Sequence, residues 1–259
     1  MAGEEAKSGD HPLPMREAEW RTYLALERAG PRTGARAQQS PAPPPWGNGE
    51  VSAPWSPAEP AQVAALGDLL AARRSAAHLG HPLDVAALRQ VLSLTLSRPA
   101  PGRPFRPYPT SGGCDELGIL IAARRVQGLP EGAYWAAMDE VGSLPYAAPL
   151  DERYEAFEQR FCPFLGIAAG APPPSALLLV LADWRRLGTR YESCVLASAL
   201  WDCGALLQTI SLAAAASQIN ACLCACVQPR LVEAWLHLAC REVGQVGLLA
   251  LGGPSSHTT

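Results

Sequence analysis

The sequence predicts an α+β domain, and three observations carry that expectation. Three nearly continuous apolar runs, Leu117–Val126, Ala176–Ala182 and Gln245–Leu251, have the length of strands. They alternate along the chain with segments of helical length and capping chemistry. A further stretch, Val195 to Val227, carries one charge, Asp202, in 33 residues, as a helix buried on all sides would.

The elements follow in order. Met15–Ala29 predicts one short amphipathic helix with Trp20, Leu24 and Ala25 on a face. Gly30–Pro60 contains Pro31, Pro41, Pro43 to Pro45, Pro54, Pro57 and Pro60. Proline fixes φ and lacks a donor, so residues 1–60 read as a Pro-rich, mostly flexible extension around that helix. The domain spans 61–253, with 254–259 as a tail. Its first helix runs from Ala61 to about Arg73–Ser75, and its second from Asp84, the N-cap, to Leu96. After the strand at Leu117, Gly132–Tyr146 reads as a hairpin turning near Asp139–Gly142. Asp151–Phe164 is helical, and Ala176–Ala182 is too continuous for anything but a buried strand. A long helix from beyond Tyr191 to Ser217, a strand Asn220–Val227, a helix Pro229–Cys240 and a strand Gln245–Leu251 complete the domain.

Composition narrows the function. The chain has 259 residues, 48 % of them hydrophobic and 17 % charged, with a net charge of −3. Without concentrated Lys and Arg, neither nucleic acid nor an anionic membrane is an expected partner. The first residues have acids and prolines where an export signal has a basic and then an apolar region, so the expected location is cytoplasmic. The Val195–Val227 run has the length of a membrane span. Its Ala, Ser, Gln and Asn content and the lack of an asymmetric basic flank point instead to a helix buried in a core. The eight cysteines include no C-x-x-C pair. On a strand, Cys222, Cys224 and Cys226 share a face about 7 Å apart, a spacing for buried free thiols rather than metal ligands.

The motif that names a chemistry is RPYPTSGGCDELGILIAARRVQGLPEGAYW, beginning at Arg106. A basic residue, a Pro-bracketed tyrosine and a hydroxyl-rich Gly loop precede a strand and then GLPEGAYW. This resembles the SagB-type dehydrogenases, a branch of the nitroreductase-like flavoproteins. The resemblance extends over about Leu69 to Gly253. It implies a nitroreductase-like, FMN-binding, dimeric fold with a mixed sheet surrounded by helices. It also implies FMN-dependent oxidation of azolines to thiazoles or oxazoles in a ribosomally synthesised precursor peptide. A YcaO-type cyclodehydratase or a paralogous dehydrogenase would be a partner.

Residue by residue, the resemblance places the FMN phosphate on Arg73 and Ser75, with Ala77 where the family has a further basic residue. Arg and Ser suit phosphate because a planar guanidinium donates twice and the hydroxyl adds a third bond. The P-S-x-G loop becomes Pro109, Thr110, Ser111 and Gly112, and Gly112 permits close backbone approach. The Lys–Tyr pair becomes Arg190 and Tyr191, with Tyr191 as base or proton relay and Arg190 lowering its pKa by charge. The family's Q-N on the long helix becomes Gln208 and Thr209, so the resemblance implies Gln208 as a cofactor contact and departs at Thr209. Two further departures bear on FMN. The family's Gly-containing strand is Asn220–Val227 without glycine, and SSHTT follows Gly253–Pro254 where a basic residue is expected. Each lost charge-assisted bond is worth roughly 1.5–3 kcal/mol, so weakened FMN binding is expected. The alternative is a flavin-poor scaffold subunit of a peptide-modifying complex.

Overall fold

The computed structural model describes residues 17–25, 66–96, 106–136, 144–162, 172–191, 194–224, 227–239 and 241–254. The proline-rich stretch 30–60, the hairpin turn at 139–142, Cys226, Cys240 and the tail beyond 254 lie outside them.

The core is a six-stranded sheet in the order β5-β4-β2-β6-β8-β7. Its strands are β2 (Leu117–Ala123), β4 (Gly132–Ala136), β5 (Tyr146–Ala148), β6 (Ala176–Asp183), β7 (Asn220–Cys224) and β8 (Val243–Gly252). All five pairings are antiparallel. Among the described residues, parallel pairing is confined to a separate two-residue ribbon, β1 (Leu83–Asp84) with β3 (Val126–Gln127). The apolar runs are continuous because both sheet faces are covered. Along β6, Leu178, Val180 and Ala182 point into one core while Leu177, Leu179 and Leu181 point into the other. That is the two-residue period of a strand expressed twice.

Helices cover the two faces. On one lie α1 (Glu17–Ala25), α3 (Val85–Leu96), α5 (Trp184–Gly188) and α6 (Val195–Ala216), whose buried residues share a core. On the other lie α4 (Glu152–Phe161) and α7 (Pro229–Leu236). The remaining helix, α2 (Leu66–Ala72), rests against α6. Local chemistry sets the ends. Asp84 Oδ1 accepts from the Ala86 amide at 2.6 Å, and Asp151 accepts from Arg153 and Tyr154 at the start of α4. His237, in the left-handed region, ends α7 well before Cys240.

Helix α6 is as apolar as a membrane span by length and composition, but 61 % of its most apolar window is buried inside the protein. It packs on α2, α3, α5, β7 and β8. At Gly247 of β8 an added Cβ would collide with Cys203 and Leu207 of α6, so helix and sheet approach as closely as backbone permits. The packed face of α1 is Trp20 and Tyr23, with Leu24 partly buried. Tyr23 stacks edge-on against Trp184 and donates to the Gln245 carbonyl at 3.1 Å, which ties the helix into the domain.

Candidate functional site

The loop Thr110–Gly113 sits where three elements converge. Asp202, two turns into α6, accepts from both the amide and the hydroxyl of Ser111, the hydroxyl at 3.0 Å. Arg190, just after α5, donates to the Gly112 carbonyl. Arg186 donates to the Asp115 carbonyl at 2.8 Å, and buried Arg106 pairs with the Asp115 carboxylate at 3.1 Å. Gly112 has φ +58°, which disfavours side chains. A Cβ there would lie 2.5 Å from Arg190 Cδ and 2.8 Å from the Tyr191 hydroxyl. Two motifs almost eighty residues apart therefore meet in space.

Partial burial sets the electrostatics of the loop's neighbours. Burial raises the Tyr191 phenol above its ordinary value, with Cys114 adding to it. Arg190 does pull it downward, as the sequence suggests, but burial outweighs that pull. Tyr191 is thus a neutral phenol. Burial likewise pushes the Cys114 thiol up to about 11, with Glu116 reinforcing and Arg190 opposing, so it is no thiolate nucleophile at neutral pH.

A second feature lies elsewhere on α6. A cavity of about 410 Å³ is lined by Arg74, Ser75, His78, Ser211 and Gln218, among others. Among the described residues its lining includes no acid, and the Ser75 hydroxyl is within hydrogen-bonding reach of the Cys222 thiol. Asn220 donates to the His78 and Gly253 carbonyls at 3.0 Å each, pinning the segment after α2 to the sheet edge. Arg73 is not among the lining residues; Arg74 is.

The predicted residues are therefore grouped in two places. Thr110, Ser111, Gly112, Arg190 and Tyr191 come together, with Pro109 exposed at the edge of the loop. Ser75 belongs to the cavity. Asp202 and Ser211 are nine residues apart on α6, about 14 Å along the axis and about two and a half turns around it. The loop and the cavity thus flank the helix on opposite sides, and one chain does not bring them together. Gln208 is exposed on the stripe between them, with Trp201 and Gly204. Sequence reasoning did not pick out Asp202, Glu116 or Arg74 as site residues. Asp202 had a signal, as the lone charge in an apolar helix; Glu116 stood directly before a wholly apolar strand.

Neither a protein-family profile nor any curated protein sequence matches the chain. Solved structures do. The E. coli microcin synthetase McbBCD complex with truncated pro-MccB17 bound aligns with a TM-score of 0.62 at 15 % identity, over 92 % of this chain and 93 % of that one. A protein assigned as a nitroreductase from Ralstonia eutropha aligns at 0.56 and 18 % identity, over 86 % and 99 %. Another, from Anabaena variabilis, aligns at 0.52 and 19 %, over 73 % of this chain and 39 % of that one. The fold is nitroreductase-like. At these identities the likeness extends to the fold; chemistry has to be argued from the residues.

Proposed function

We propose that this chain is an FMN-dependent dehydrogenase of the SagB type, oxidising azolines to thiazoles or oxazoles in a ribosomally made precursor peptide in the cytoplasm. The observation that carries the reading is the meeting of Gly112 with Arg190 and Tyr191, which joins the loop motif to the proposed proton-handling pair. The likeness to a microcin synthetase complex with a truncated pro-peptide bound supports a peptide substrate and a cyclodehydratase-type partner.

The residues suit FMN in part. A cavity lined by Arg74, Ser75 and His78 without an acid suits a phosphate. When bound, FMN would supply the hydride acceptor. Tyr191, neutral and held against the loop, would take the ring proton only while handing its own onward, which makes it a relay rather than an ionised base. Arg190 holds the loop by its Gly112 bond and is a poor proton shuttle.

Because the two half-sites flank α6 on opposite sides, we infer a homodimer across the helix's exposed stripe, in which the cavity of one chain faces the loop of the other. Trp201 at 68 % exposure, beside the side-chain-free Gly204, gives that stripe an apolar anchor.

A flavin-poor scaffold subunit is the second reading. It is favoured by Arg74 being the one Lys or Arg among the described residues of the cavity lining. Absorbance of the purified protein decides between them: bound FMN makes it yellow, and conversion of an azoline peptide then confirms the enzyme. A protein that stays colourless after reconstitution and is inactive supports the scaffold.

A further inference from the structure

Glu116 is fully buried at the head of β2, and no other residue donates a hydrogen bond to either of its carboxyl oxygens; its own backbone amide favours the anion, but less than burial and Asp202 oppose it. Its position is fixed, because its carbonyl accepts from the Asp183 amide at 2.9 Å. Opposite lies buried Asp202, and the two carboxyl groups are within hydrogen-bonding reach of each other. Asp202 already accepts two bonds from Ser111. The neighbouring guanidinium groups are turned elsewhere, Arg106 to Asp115 and the Leu96 carbonyl, Arg186 to Asp115, and Arg190 to Gly112; none donates to Glu116. Among the described residues no group of three His, Cys, Asp or Glu could hold a metal ion. Two touching, buried carboxylates cannot both be ionised, so something must neutralise one of them, and a proton remains.

We propose that Glu116 keeps its proton at neutral pH and donates it to Asp202, so that the pair forms one shared-proton anion that positions the Thr110–Gly112 loop. A carboxylate has lone pairs for three such donors, the Ser111 amide, the Ser111 hydroxyl and the Glu116 acid. Glu116 is a positioning residue, acting on the loop only through Asp202.

The pH dependence follows from burial, then Asp202, raising Glu116 above the ordinary carboxyl range. The other groups facing the pair are Asp115, Tyr108 and Cys114 from its own segment, Cys203 from α6, and Tyr191, with Arg106 and Arg190 as the cations. Tyr108, Cys114, Cys203 and Tyr191 all stand above their ordinary values and stay neutral where Glu116 matters. An unfolded glutamate loses its proton near about pH 4.3. Above that pH the native state holds one more proton than the unfolded chain. Stability therefore falls as pH rises, by about tenfold in the unfolding constant per pH unit, until native Glu116 ionises.

The test is urea unfolding of the full chain and of Glu116→Gln at fixed protein concentration over a pH series. The amide keeps a donor toward Asp202 and cannot titrate. The wild type should lose stability relative to E116Q at about tenfold per pH unit above about pH 5, and its infrared spectrum at neutral pH should contain a carboxylic-acid C=O band that E116Q lacks. Glu116→Ala, with no donor, should open the 110–113 loop to proteolysis while E116Q stays protected. Parallel stability curves, no acid band, or an E116Q protein that fails to fold would overturn the proposal. It deepens the role of the loop in the proposed enzyme, but no readout needs flavin. A colourless protein would count against the enzyme reading and leave this result standing.

Discussion

Arg190 donates to the Gly112 carbonyl, and its aliphatic stem fills the space where a side chain on that glycine would begin. The contact makes the loop, the Arg190–Tyr191 pair and the N-terminal part of α6 one mechanical unit, since Ser111 next door is held by Asp202.

Gly112→Ala should break that unit. Alanine at φ +58° costs about 1–2 kcal/mol in backbone conformation, and its Cβ must also displace Arg190 or the Tyr191 hydroxyl. Gly113 is the control, with φ +68° but open space around its Cβ. Gly113→Ala should lower Tm by the backbone term alone, roughly 2–8 °C. Gly112→Ala should lower it further and also release flavin. Equal melting temperatures in the two variants would show that the Arg190 contact contributes nothing.

The cavity yields a prediction that the motif comparison alone would have aimed at its neighbour. Arg74, not Arg73, lines the space beside Ser75. Arg74→Ala should weaken FMN by roughly ten- to a hundred-fold, the worth of one charge-assisted bond, measured by flavin fluorescence on dilution. Arg73→Ala should change it little. The reverse order would place the phosphate outside this cavity.

Much of the fold was legible because strands buried on both faces and a helix buried nearly all round leave long unbroken apolar runs, as at Ala176–Asp183 and Val195–Ala216. The Asp84 cap was visible for the same kind of reason, a local side-chain bond with a fixed spacing. The short helix α5 and the β1–β3 ribbon were not, because tertiary pairing creates them. The Arg190–Tyr191 pair and the Gly112 loop could be named from motif spacing. Their separation from the Ser75 cavity could not, since it depends on where each lands around α6. Tyr23 was missed as the anchor of α1 because its buried ring is matched to Trp184, far away in sequence.

The exposed stripe of α6 predicts the oligomeric state. Light scattering should report about twice the 27.4 kDa chain mass. Trp201→Glu puts a charge at the centre of the stripe without touching the buried face, so it should yield monomers that retain the wild-type circular dichroism spectrum. Loss of flavin with loss of the dimer would follow from a site built from both chains. A stable wild-type monomer would contradict the inference.

Tyr191→Phe tests the chemistry itself. Phenylalanine keeps the ring against the loop and removes only the hydroxyl, so folding and FMN retention should be unchanged. Azoline oxidation, read as loss of two hydrogens' mass per ring, should fall by about 10²–10⁴-fold, the usual worth of a positioned proton-transfer group. Because burial and Cys114 hold the phenol above its ordinary pKa, the wild-type rate should show no gain attributable to phenolate between about pH 6 and pH 9. The deficit of the variant should therefore be constant across that range. Arg190→Lys preserves the positive charge beside Tyr191 and adds a group that can exchange protons, so it should retain activity. A yellow Tyr191→Phe protein that oxidises azolines at the wild-type rate would keep the dehydrogenase and remove Tyr191 from its proton path.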